Sequence, residues 1–571
     1  MHGVSLWPSR SIVSALSLVA ALVLVLGGAR AQQSTAKDAV RVFVFAGQSN
    51  MEGADSKVAD VDRFPPFAGA AEEQPDVRFW HVIGREEKSR SEGWVPLQPV
   101  RGMVGPELTF AREVAAQAGC KLAIIKVAAG GTTLGRDWNP DEPGGFEMYP
   151  LALKTVRDAL ADLTRRRVRW RLEGLCWHQG ENDMFDEGFR DRYGDNLERF
   201  VACWRRDLEV PDLRVYIGEL CTKTIWGMDQ RPRMHAISLG QRQVTGADAR
   251  ARYVPTSHVG VEIGGGVGLH YHYGTLGQLQ HGMGYAQAYL EDLGAWQPTV
   301  RGLRKWPYRE GEVVDLYVMA GHRNMEGERA FVQNLGSVKG GRSLRKNRDD
   351  VAFRYVVGGG VHRSVGWEPL GPAGLYDTFG PELSFVHALG KPSGKRSGKN
   401  RGDAVAIAKF THSGSQIVDW TPAGSVAKSR NLYAQWLEFV RESIASLEAK
   451  GHKVRLRAIC YHVGENDASW TPHRRKAAGW LGELVAATRR DLKLPELLWL
   501  VSQQRPTDHK DVNEVDMVAA VRTLAAADEH MVHVEALDPP PQDKQLVFDA
   551  AAVVWLGKRL ADAVLRADRA R

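Results

Sequence analysis

The sequence predicts an α/β protein built as two tandem three-layer α/β/α sandwiches, each around a parallel sheet. Its 571 residues exceed one ordinary domain, because single hydrophobic cores usually stop growing near about 250–300 residues. Short apolar runs alternate with longer helix-like stretches, which is typical of a parallel sheet covered on both faces. Several blocks also occur twice in the same order, as expected after a tandem duplication.

The duplication is carried by four pairs of blocks. In chain order they are VFVFAGQSNMEG (42–53) with LYVMAGHRNMEG (316–327), VGPELTF (104–110) with FGPELSF (379–385), EGLCWHQGEND (173–183) with RAICYHVGEND (457–467), and GMGYAQA (282–288) with GKRLADA (557–563). We therefore predict a first unit over 38–295, a linker over 296–311 and a second unit over 312–568.

Residues 1–31 precede both units and have the features of a secretory signal peptide. A basic start and a short apolar core end in Ala29-Arg30-Ala31, a small-x-small cleavage pattern. An uncleaved anchor is the alternative, since about 17 apolar residues approach the lower limit for a membrane span. We expect cleavage, export to the outside or the periplasm, and no membrane span in the mature chain.

Charge and cysteine content exclude some classes. A net charge of +7 over this length does not favour nucleic acid as a partner. The five cysteines are too few for a disulfide framework. Cys176 and Cys460 lie in apolar strand-like runs and are predicted to be buried thiols, while one bridge among Cys120, Cys203 and Cys221 stays open.

The strands and helices follow from the local pattern. The predicted strands of the first unit are VRVFVFAG, KLAIIKVA, RLEGLCWH and LRVYIGEL, and those of the second are VDLYVMAG, AVAIAKF, RLRAICYH and ELLWLVSQ. The predicted helices of the first unit span 107–117, 149–165 and 191–208. Ligands of such sheets bind beyond the carboxyl ends of the strands, so those ends are where chemistry is expected.

Polar and glycine residues follow three of these strands. Ser49 stands at a strand-to-helix turn, where a hydroxyl can act as a nucleophile. Gly130 and Gly131 let the backbone approach a ligand, and Asn182 offers an amide donor. Together they predict an oxyanion hole made of the Ser49 N–H, a glycine N–H and Asn182. The alternatives are an N-cap at Ser49 and simple turns at the other positions.

The GQSNM block, the Gly-Gly-Thr block followed by Trp138, and WHQGEND resemble the SGNH/GDSL hydrolases, in the branch of sialate O-acetylesterases and plant-type carbohydrate acetylesterases. The resemblance covers 38–295 and, more weakly, 312–568. It implies a flavodoxin-like sheet and a serine esterase that removes O-acetyl groups from sugars or polysaccharides such as sialic acid or xylan. It implies neither a metal nor an organic cofactor.

The resemblance also implies residue roles. Ser49 would be the nucleophile and a late histidine the base. The resemblance also places four further residues in the pocket: Gln48, Gln179, Glu181 and Asp183. Gln179 and Glu181 match the family's QGE triplet.

The spacing to Gly282 selects His272 as the late histidine, and His270 is its rival because Leu269-His270-Tyr271 mimics a family signature. The family usually has an Asp shortly before this histidine, and this chain does not; Glu262 is the nearest upstream acid. A backbone carbonyl, a distant acid or a Ser–His dyad would replace it. A metal site of His270, His272 and His281 is a minor alternative.

The second unit lacks the predicted chemical groups. Arg323 replaces Ser49, His322 replaces Gln48, and Val547 falls where the count places the histidine. We predict that this unit is not catalytic. Its insertion at 390–403 is rich in Lys and Arg and predicts a surface loop, with a polyanion-binding arm as the alternative.

Two functional hypotheses follow. The first is an exported carbohydrate esterase that acts through the first unit on an acetylated glycan or a small acetylated sugar. The second is a cell-surface carbohydrate-binding protein built from two non-catalytic units.

Overall fold

The computed structural model describes ten stretches of the chain: 39–220, 224–225, 228–260, 272–296, 301–390, 404–426, 430–468, 471–505, 516–541 and 546–570. The predicted signal peptide, His270, Glu262, Cys221 and nearly all of the 390–403 insertion lie outside the described residues.

The first unit contains ten strands and seven α-helices among its described residues. The strands are β1 (Val40–Gly47), β2 (Gln74–Ile83), β3 (Ser89–Arg90), β4 (Val95–Leu97), β5 (Leu122–Ala128), β6 (Trp170–His178), β7 (Arg214–Gly218), β8 (Thr224–Ile225), β9 (Met228–Asp229) and β10 (Ala251–Val254). The helices are α1 (Ser49–Glu52), α2 (Glu107–Ala118), α3 (Met148–Arg165), α4 (Glu187–Asp191), α5 (Tyr193–Asp207), α6 (Arg231–Ala247) and α7 (Gly274–Asp292).

The described part of the second unit repeats this plan. Its strands are β11 (Val313–Gly321), β12 (Arg348–Val357), β13 (His362–Arg363), β14 (Glu368–Leu370), β15 (Ala404–Thr411), β16 (Lys453–His462), β17 (Leu498–Gln504) and β18 (Met531–Ala536). Its helices are α8 (Arg323–Glu326), α9 (Gly341–Leu344), α10 (Glu382–Leu389), α11 (Tyr433–Glu448), α12 (Glu465–Ala468), α13 (Thr471–Leu492), α14 (Met517–Ala526) and α15 (Ala550–Ala570).

The two main sheets have the same topology. The first runs β10-β7-β6-β1-β5-β2-β3, and the second runs β18-β17-β16-β11-β15-β12-β13. The strands β5-β1-β6-β7-β10, in chain order 2-1-3-4-5, form the expected flavodoxin-like arrangement. Each sheet has two parallel strands that the sequence analysis did not predict: β10 or β18 within this arrangement, and β2 or β12 outside it.

The outer edge of each sheet departs from the expected parallel pattern. The short strands β3 and β4 pair antiparallel with β2, and β13 and β14 do the same with β12. The chain returns from β2 to β3 over only a few residues, and a parallel crossover needs a dozen or more. A mixed edge is therefore the only arrangement open to such a short connection.

Helices cover both faces of each sheet, as predicted. In the first unit one apolar cluster joins the sheet to α3, α5 and α6, and a second joins the opposite face to α2 and α7. The second unit likewise has two clusters, one on each face of its sheet. The three-layer α/β/α fold is thus confirmed for both units.

The cysteine predictions can be checked at four positions. Cys176 and Cys460 are buried free thiols, as expected. Cys120 and Cys203 are also free, so they do not bridge each other.

Among the residues the structure describes, no helix is long and apolar enough to cross a membrane.

Candidate active site

A pocket of about 400 Å³ opens at the carboxyl ends of β1, β5 and β6. It brings together residues that are far apart in the chain, since the topology changes direction at this point of the sheet. The lining residues are Gln48, Ser49, Glu52, Ala54, Gly84, Arg85, Lys88, Arg101, Gly130, Gly131, Glu181, Asn182, Phe185 and His272.

Ser49 is the first residue of α1, directly after the turn that ends β1. The N-cap position belongs to Gln48, whose side chain makes no capping hydrogen bond, so the N-cap alternative for Ser49 does not apply. The turn requires Gly47, because a Cβ there would lie 2.0 Å from the carbonyl oxygen of His178. This close approach of β1 to β6 sets Ser49 beside the loop that follows β6.

Gln48 fixes the position of Asn182. Its amide nitrogen donates to Asn182 Oδ1 at 3.2 Å, while its own oxygen accepts from Gln179 Nε2 at 3.1 Å and from the Gly180 N–H at 3.2 Å. Because the Asn182 oxygen is used by Gln48, the Asn182 amide presents its NH₂ group as a donor at the pocket wall.

Gln179 and Asp183 lie beneath the pocket and do not line it. Asp183 is fully buried and accepts the N–H groups of Leu134 and Gly135 at 2.9 and 3.0 Å. Gln179 Nε2 donates to the same carboxylate at 2.5 Å. Burial raises the pKa of Asp183 to about 6 in spite of these donors. The two residues tie the loop after β6 to the loop after β5.

Glu181 belongs to a buried polar group behind Ser49. Its carboxylate accepts from Asn50 Nδ2 at 2.6 Å and lies 3.2 Å from His178 Nε2. Burial opposes the ionisation of Glu181, but His178 and the Asn50 amide together hold its pKa below the ordinary value. The Asn50 oxygen accepts the Tyr273 N–H at 3.1 Å, so this group also contacts the residue after His272.

His272 lies at the pocket with an acid beside it. Its Nδ1 is 2.6 Å from Oδ2 of Asp55, which has a left-handed backbone with φ of 61° in the loop after α1. Such a partner holds an imidazole with Nε2 available for proton transfer. Sequence reasoning missed Asp55 and left a distant acid as one of several options. The signal available was its absence from the second unit, where Arg329 occupies the equivalent position.

The two glycines after β5 differ in what their N–H groups do. The Gly130 N–H donates to Glu52 Oε2 at 3.0 Å, so it is not directed at a ligand. Gly131, whose φ is 79°, lines the same pocket next to it. Gly130 is the nearer of the two to Ser49, since a Cβ there would lie 3.4 Å from Ser49 Cβ, but its N–H is already used, so the Gly131 N–H is the candidate donor for an oxyanion.

His281 lies apart from the pocket, on the buried face of α7. It is fully buried against His178, Tyr273 and Tyr285, with ring centroids 4.6 to 5.2 Å away. Burial lowers its pKa well below the ordinary value. Within the described part of the chain, no group of three or more His, Cys, Asp or Glu side chains is arranged to hold a metal ion.

The second unit has the same framework with different side chains. Asn324 Oδ1 accepts the Phe548 N–H at 2.7 Å, as Asn50 accepts that of Tyr273, so Val547 stands where His272 stands. Arg323, at the Ser49 position, is buried and paired with Glu328. Asn466, at the Asn182 position, donates to the carbonyl of Ser415 at 3.0 Å.

A family model matches both units. It is described as "Carbohydrate esterase, sialic acid-specific acetylesterase", and it covers residues 39–291 and again 313–566. The chain belongs to this family. The match over both regions agrees with the duplication seen in the sequence and in the two sheets.

Among curated proteins, this sialic acid-specific acetylesterase family member is similar to a probable carbohydrate esterase of Arabidopsis thaliana, with 25% identity over 193 residues. That match involves 33% of this chain and spans about 65% of the relative's length. Among solved structures, it is similar to a protein from Arabidopsis thaliana with 19% identity and a TM-score of 0.35, covering 44% of this chain and 98% of that one. NanS matches with 16% identity and a TM-score of 0.33, covering 46% and 99%.

Proposed function

We propose that the first unit is a serine esterase that removes O-acetyl groups from a sugar or glycan. The observation that carries this proposal is that His272, paired with Asp55, lines the pocket that also contains Ser49, Gly131 and Asn182. A nucleophile, a base with an orienting acid, and oxyanion donors are the parts an acyl transfer needs. Membership of the carbohydrate esterase family supports the sugar ester as substrate.

In the acylation step, Ser49 Oγ attacks the acetyl carbonyl while His272 Nε2 accepts its proton. Asp55, hydrogen-bonded at Nδ1, stabilises the imidazolium that forms. The Ser49 and Gly131 N–H groups and the Asn182 amide stabilise the negative charge on the tetrahedral oxygen. His272 then donates the proton to the sugar oxygen as its bond to the acetyl carbon breaks, and an acetyl-serine is left.

In the second step a water molecule replaces the sugar. His272 takes a proton from this water, whose oxygen attacks the acetyl carbon through the same oxyanion hole. Collapse of the tetrahedral intermediate breaks the bond to Ser49 Oγ, which recovers the proton from His272. Acetic acid leaves and gives its proton to the solvent to become acetate, and the residues return to their starting state.

The rim of the pocket favours an acidic sugar over a neutral one. Arg85 and Lys88 are exposed there, and Arg101 donates to Glu52 at 3.1 Å. Cations around an open pocket attract a carboxylate-bearing substrate. An O-acetylated sialic acid is therefore the proposed substrate, ahead of acetylated xylan.

A fluorophosphonate label tests the nucleophile directly. We expect stoichiometric labelling of Ser49 in the full chain, found by mass spectrometry of the modified peptide, together with release of acetate from O-acetylated sialic acid. Absence of label at Ser49 in folded protein would contradict the proposal. Glycan binding that persists in Ser49→Ala, with no acetate released by the wild type, would instead support the carbohydrate-binding alternative.

Export and the non-catalytic second unit belong to the same proposal. Cleavage after Ala31 predicts a mature chain that begins at Gln32. The N-terminal sequence of protein recovered from the natural host would check this. Buried Arg323 and Val547 supply neither a nucleophile nor a base, so acetate release is expected from the first unit alone.

A further inference from the structure

The carboxyl edge of the second sheet, where a pocket would open by analogy with the first unit, is covered by the first unit. His412, Ser413 and Gln416 follow β15 at this edge, and each is 5% exposed or less. Arg231, at the start of α6 in the first unit, donates to Gln416 Oε1 at 2.7 Å. The edge that has lost its chemistry is thus an interface.

Besides Arg231, a second part of the first unit enters this interface. It is the stretch 256–260, here called the docking segment, which follows β10 and precedes His272 in the chain. Its side chains are 8% exposed or less from Thr256 to Val259. By register, 536–540 is the equivalent stretch of the second unit, and residues there beyond Ala536 are partly or fully exposed.

Residues of the second unit contact this segment directly. Ser413 Oγ donates to the carbonyl oxygen of His258 at 2.9 Å, and His412 Nε2 lies 3.4 Å from Ser257 Oγ. Gly358 packs so closely that a Cβ there would lie 3.1 Å from His258 Cβ. The contact thus combines a hydrogen bond to the backbone, a close approach of two side chains and tight packing.

A buried ion pair crosses the same interface. Glu219, directly after β7, accepts the N–H groups of Thr256 and Ser257 at 3.0 and 3.1 Å through one carboxylate oxygen. Arg430 of the second unit donates to the other oxygen at 3.3 Å, and both side chains are nearly fully buried. Burial opposes the charge on Glu219, but Arg430 and these donors hold the pKa of Glu219 below its ordinary value.

From the docking segment the contacts continue to the residue beside the candidate base. The Tyr273 hydroxyl lies 2.8 Å from Thr256 Oγ1 and 3.2 Å from the Glu219 carbonyl oxygen. The Tyr273 backbone N–H donates to Asn50, the residue after Ser49. The position of Tyr273 is therefore defined from both sides, and with it the position of His272.

We propose that the second unit is a positioning domain for the first: through Arg430 and Ser413 it holds the docking segment, which sets Tyr273 and His272 in place beside Ser49. The proposal rests on the esterase function proposed above. It gives the duplicated copy a role in the reaction that needs no chemistry of its own. Arg430 and Ser413 are positioning residues, because they act through the docking segment and touch no substrate.

The test uses the full chain with Arg430→Met and Ser413→Ala. For Arg430→Met we expect kcat for acetate release to fall about 10- to 100-fold, as small displacements of catalytic groups do, with KM changed by less than about two-fold. Ser413→Ala, which removes one hydroxyl and no charge, should give a smaller decrease in kcat and serves alone if Arg430→Met does not fold. Arg430→Lys should recover part of the lost kcat.

Arg489→Met is the matched control. Arg489 forms a less deeply buried ion pair with Asp528 inside the second unit, at 2.5 Å, and belongs to none of the contacts that join the units above. We expect Arg489→Met to lower the melting temperature and to leave kcat unchanged. Equal losses of kcat in Arg489→Met and Arg430→Met would overturn the proposal, since general destabilisation would then explain both.

Hydrogen exchange followed by mass spectrometry separates this proposal from the proposed function. Faster exchange is expected in peptides covering 256–260 and 273–276 of Arg430→Met, and not of Arg489→Met. This readout needs no activity, so it remains valid if the wild type releases no acetate, a result that would contradict only the esterase function. Wild-type kcat and unchanged exchange in Arg430→Met would overturn the positioning role.

Discussion

The two units share a scaffold and differ in the groups that meet at its carboxyl edge. A buried Lys126–Glu107 pair lies under the first pocket, with Nζ 2.7 Å from the carboxylate, and Lys409–Glu382 repeats it at 3.0 Å in the second unit. In both, the lysine also donates to the carbonyl of the glutamate of the NMEG block, Glu52 or Glu326. The framework thus persists where the predicted nucleophile and base are replaced, so it is explained by the fold in both units.

The comparison is sharpest at the nucleophile. Ser49→Ala should lower acetate release by about 10⁵-fold or more, since loss of a catalytic serine removes covalent catalysis entirely. The measurement is kcat/KM with an acetylated sialic acid and with p-nitrophenyl acetate. Retention of a tenth of the wild-type rate would show that another group is the nucleophile.

Arg323→Ser in the Ser49→Ala background tests whether a serine alone is enough to make the second unit active. It restores a serine to the second unit, yet Val547 offers no base and the Asn466 amide is already hydrogen-bonded to Ser415. We expect no acetate release and no fluorophosphonate label at position 323. Measurable turnover would contradict the assignment of the second unit as non-catalytic.

The oxyanion donor should have the next largest effect. Asn182→Ala should lower kcat by about 10²- to 10³-fold with little change in KM, because the amide is proposed to stabilise charge that appears only in the transition state. Steady-state kinetics on both substrates would check this. An increase confined to KM would mean that Asn182 binds the ground state instead.

Asp55 separates a triad from a Ser–His dyad. Asp55→Asn should lower kcat about 10- to 100-fold, less than for a buried acid, because the Asp55 side chain is 66% exposed and its charge is screened by water. Asp60→Asn is the control, since Asp60 forms an exposed pair with Arg63 on the neighbouring turn. Equal rates for Asp55→Asn and wild type would favour the dyad.

The cationic rim predicts a smaller effect, confined to binding. Lys88→Met should raise KM for acetylated sialic acid about two- to ten-fold and leave p-nitrophenyl acetate unaffected, since the second ester carries no carboxylate. The ratio of the KM of Lys88→Met to the wild-type KM should decrease as salt is added, because salt screens the charge of Lys88. A similar loss with acetylated xylan would argue against recognition of an acidic sugar.

The smallest predicted effect concerns stability against pH. Glu181 of the first unit and Glu465 of the second occupy equivalent positions in the GEND blocks. Burial raises the pKa of Glu465 to about 8, whereas the pKa of Glu181 lies below its ordinary value. The carboxyl of Glu465 therefore stabilises the fold fully below about pH 4.5, and this contribution is lost as pH rises through 8. Glu181 contributes above about pH 4.5 and loses its contribution as pH falls further.

Glu465→Gln imitates the protonated carboxyl. It should remove part of the decrease in melting temperature between pH 5 and pH 8, a change of a few degrees, since about 1 kcal/mol shifts a domain of this size by about 2–4 °C. Glu181→Gln should instead lower the melting temperature at pH 7. Calorimetry at pH 5, 7 and 8 checks the direction of the change in melting temperature for each variant. Identical pH profiles for Glu465→Gln and wild type would contradict the prediction for Glu465.

Much of this arrangement follows from local sequence. The strand VRVFVFAG coincides with β1, and the expected helix 149–165 begins one residue earlier in the structure. Apolar runs and helical periodicity are local properties, so they predict such elements well. Ser49, Asn182 and His272 share a pocket because parallel strands end at one edge of the sheet, which a topology prediction also supplies.

What the sequence did not predict depends on three-dimensional contact. Asp55 reaches His272 from 217 positions away, through a loop whose left-handed turn has no distinct residue signature. The Gly130 N–H is taken by Glu52, an interaction that only the fold brings about. The docking of 256–260 on the second unit likewise joins surfaces with no shared pattern.

Asp55 also bears on how the second unit differs from the first. The candidate nucleophile and the candidate orienting acid lie within seven consecutive residues, Ser49 to Asp55, which form α1 and the start of the loop after it. The equivalent positions of the second unit hold Arg323 and Arg329. Within this one short segment the two units therefore differ at two of the three proposed catalytic positions. Grafting residues 49–55 onto 323–329 would transfer both groups at once.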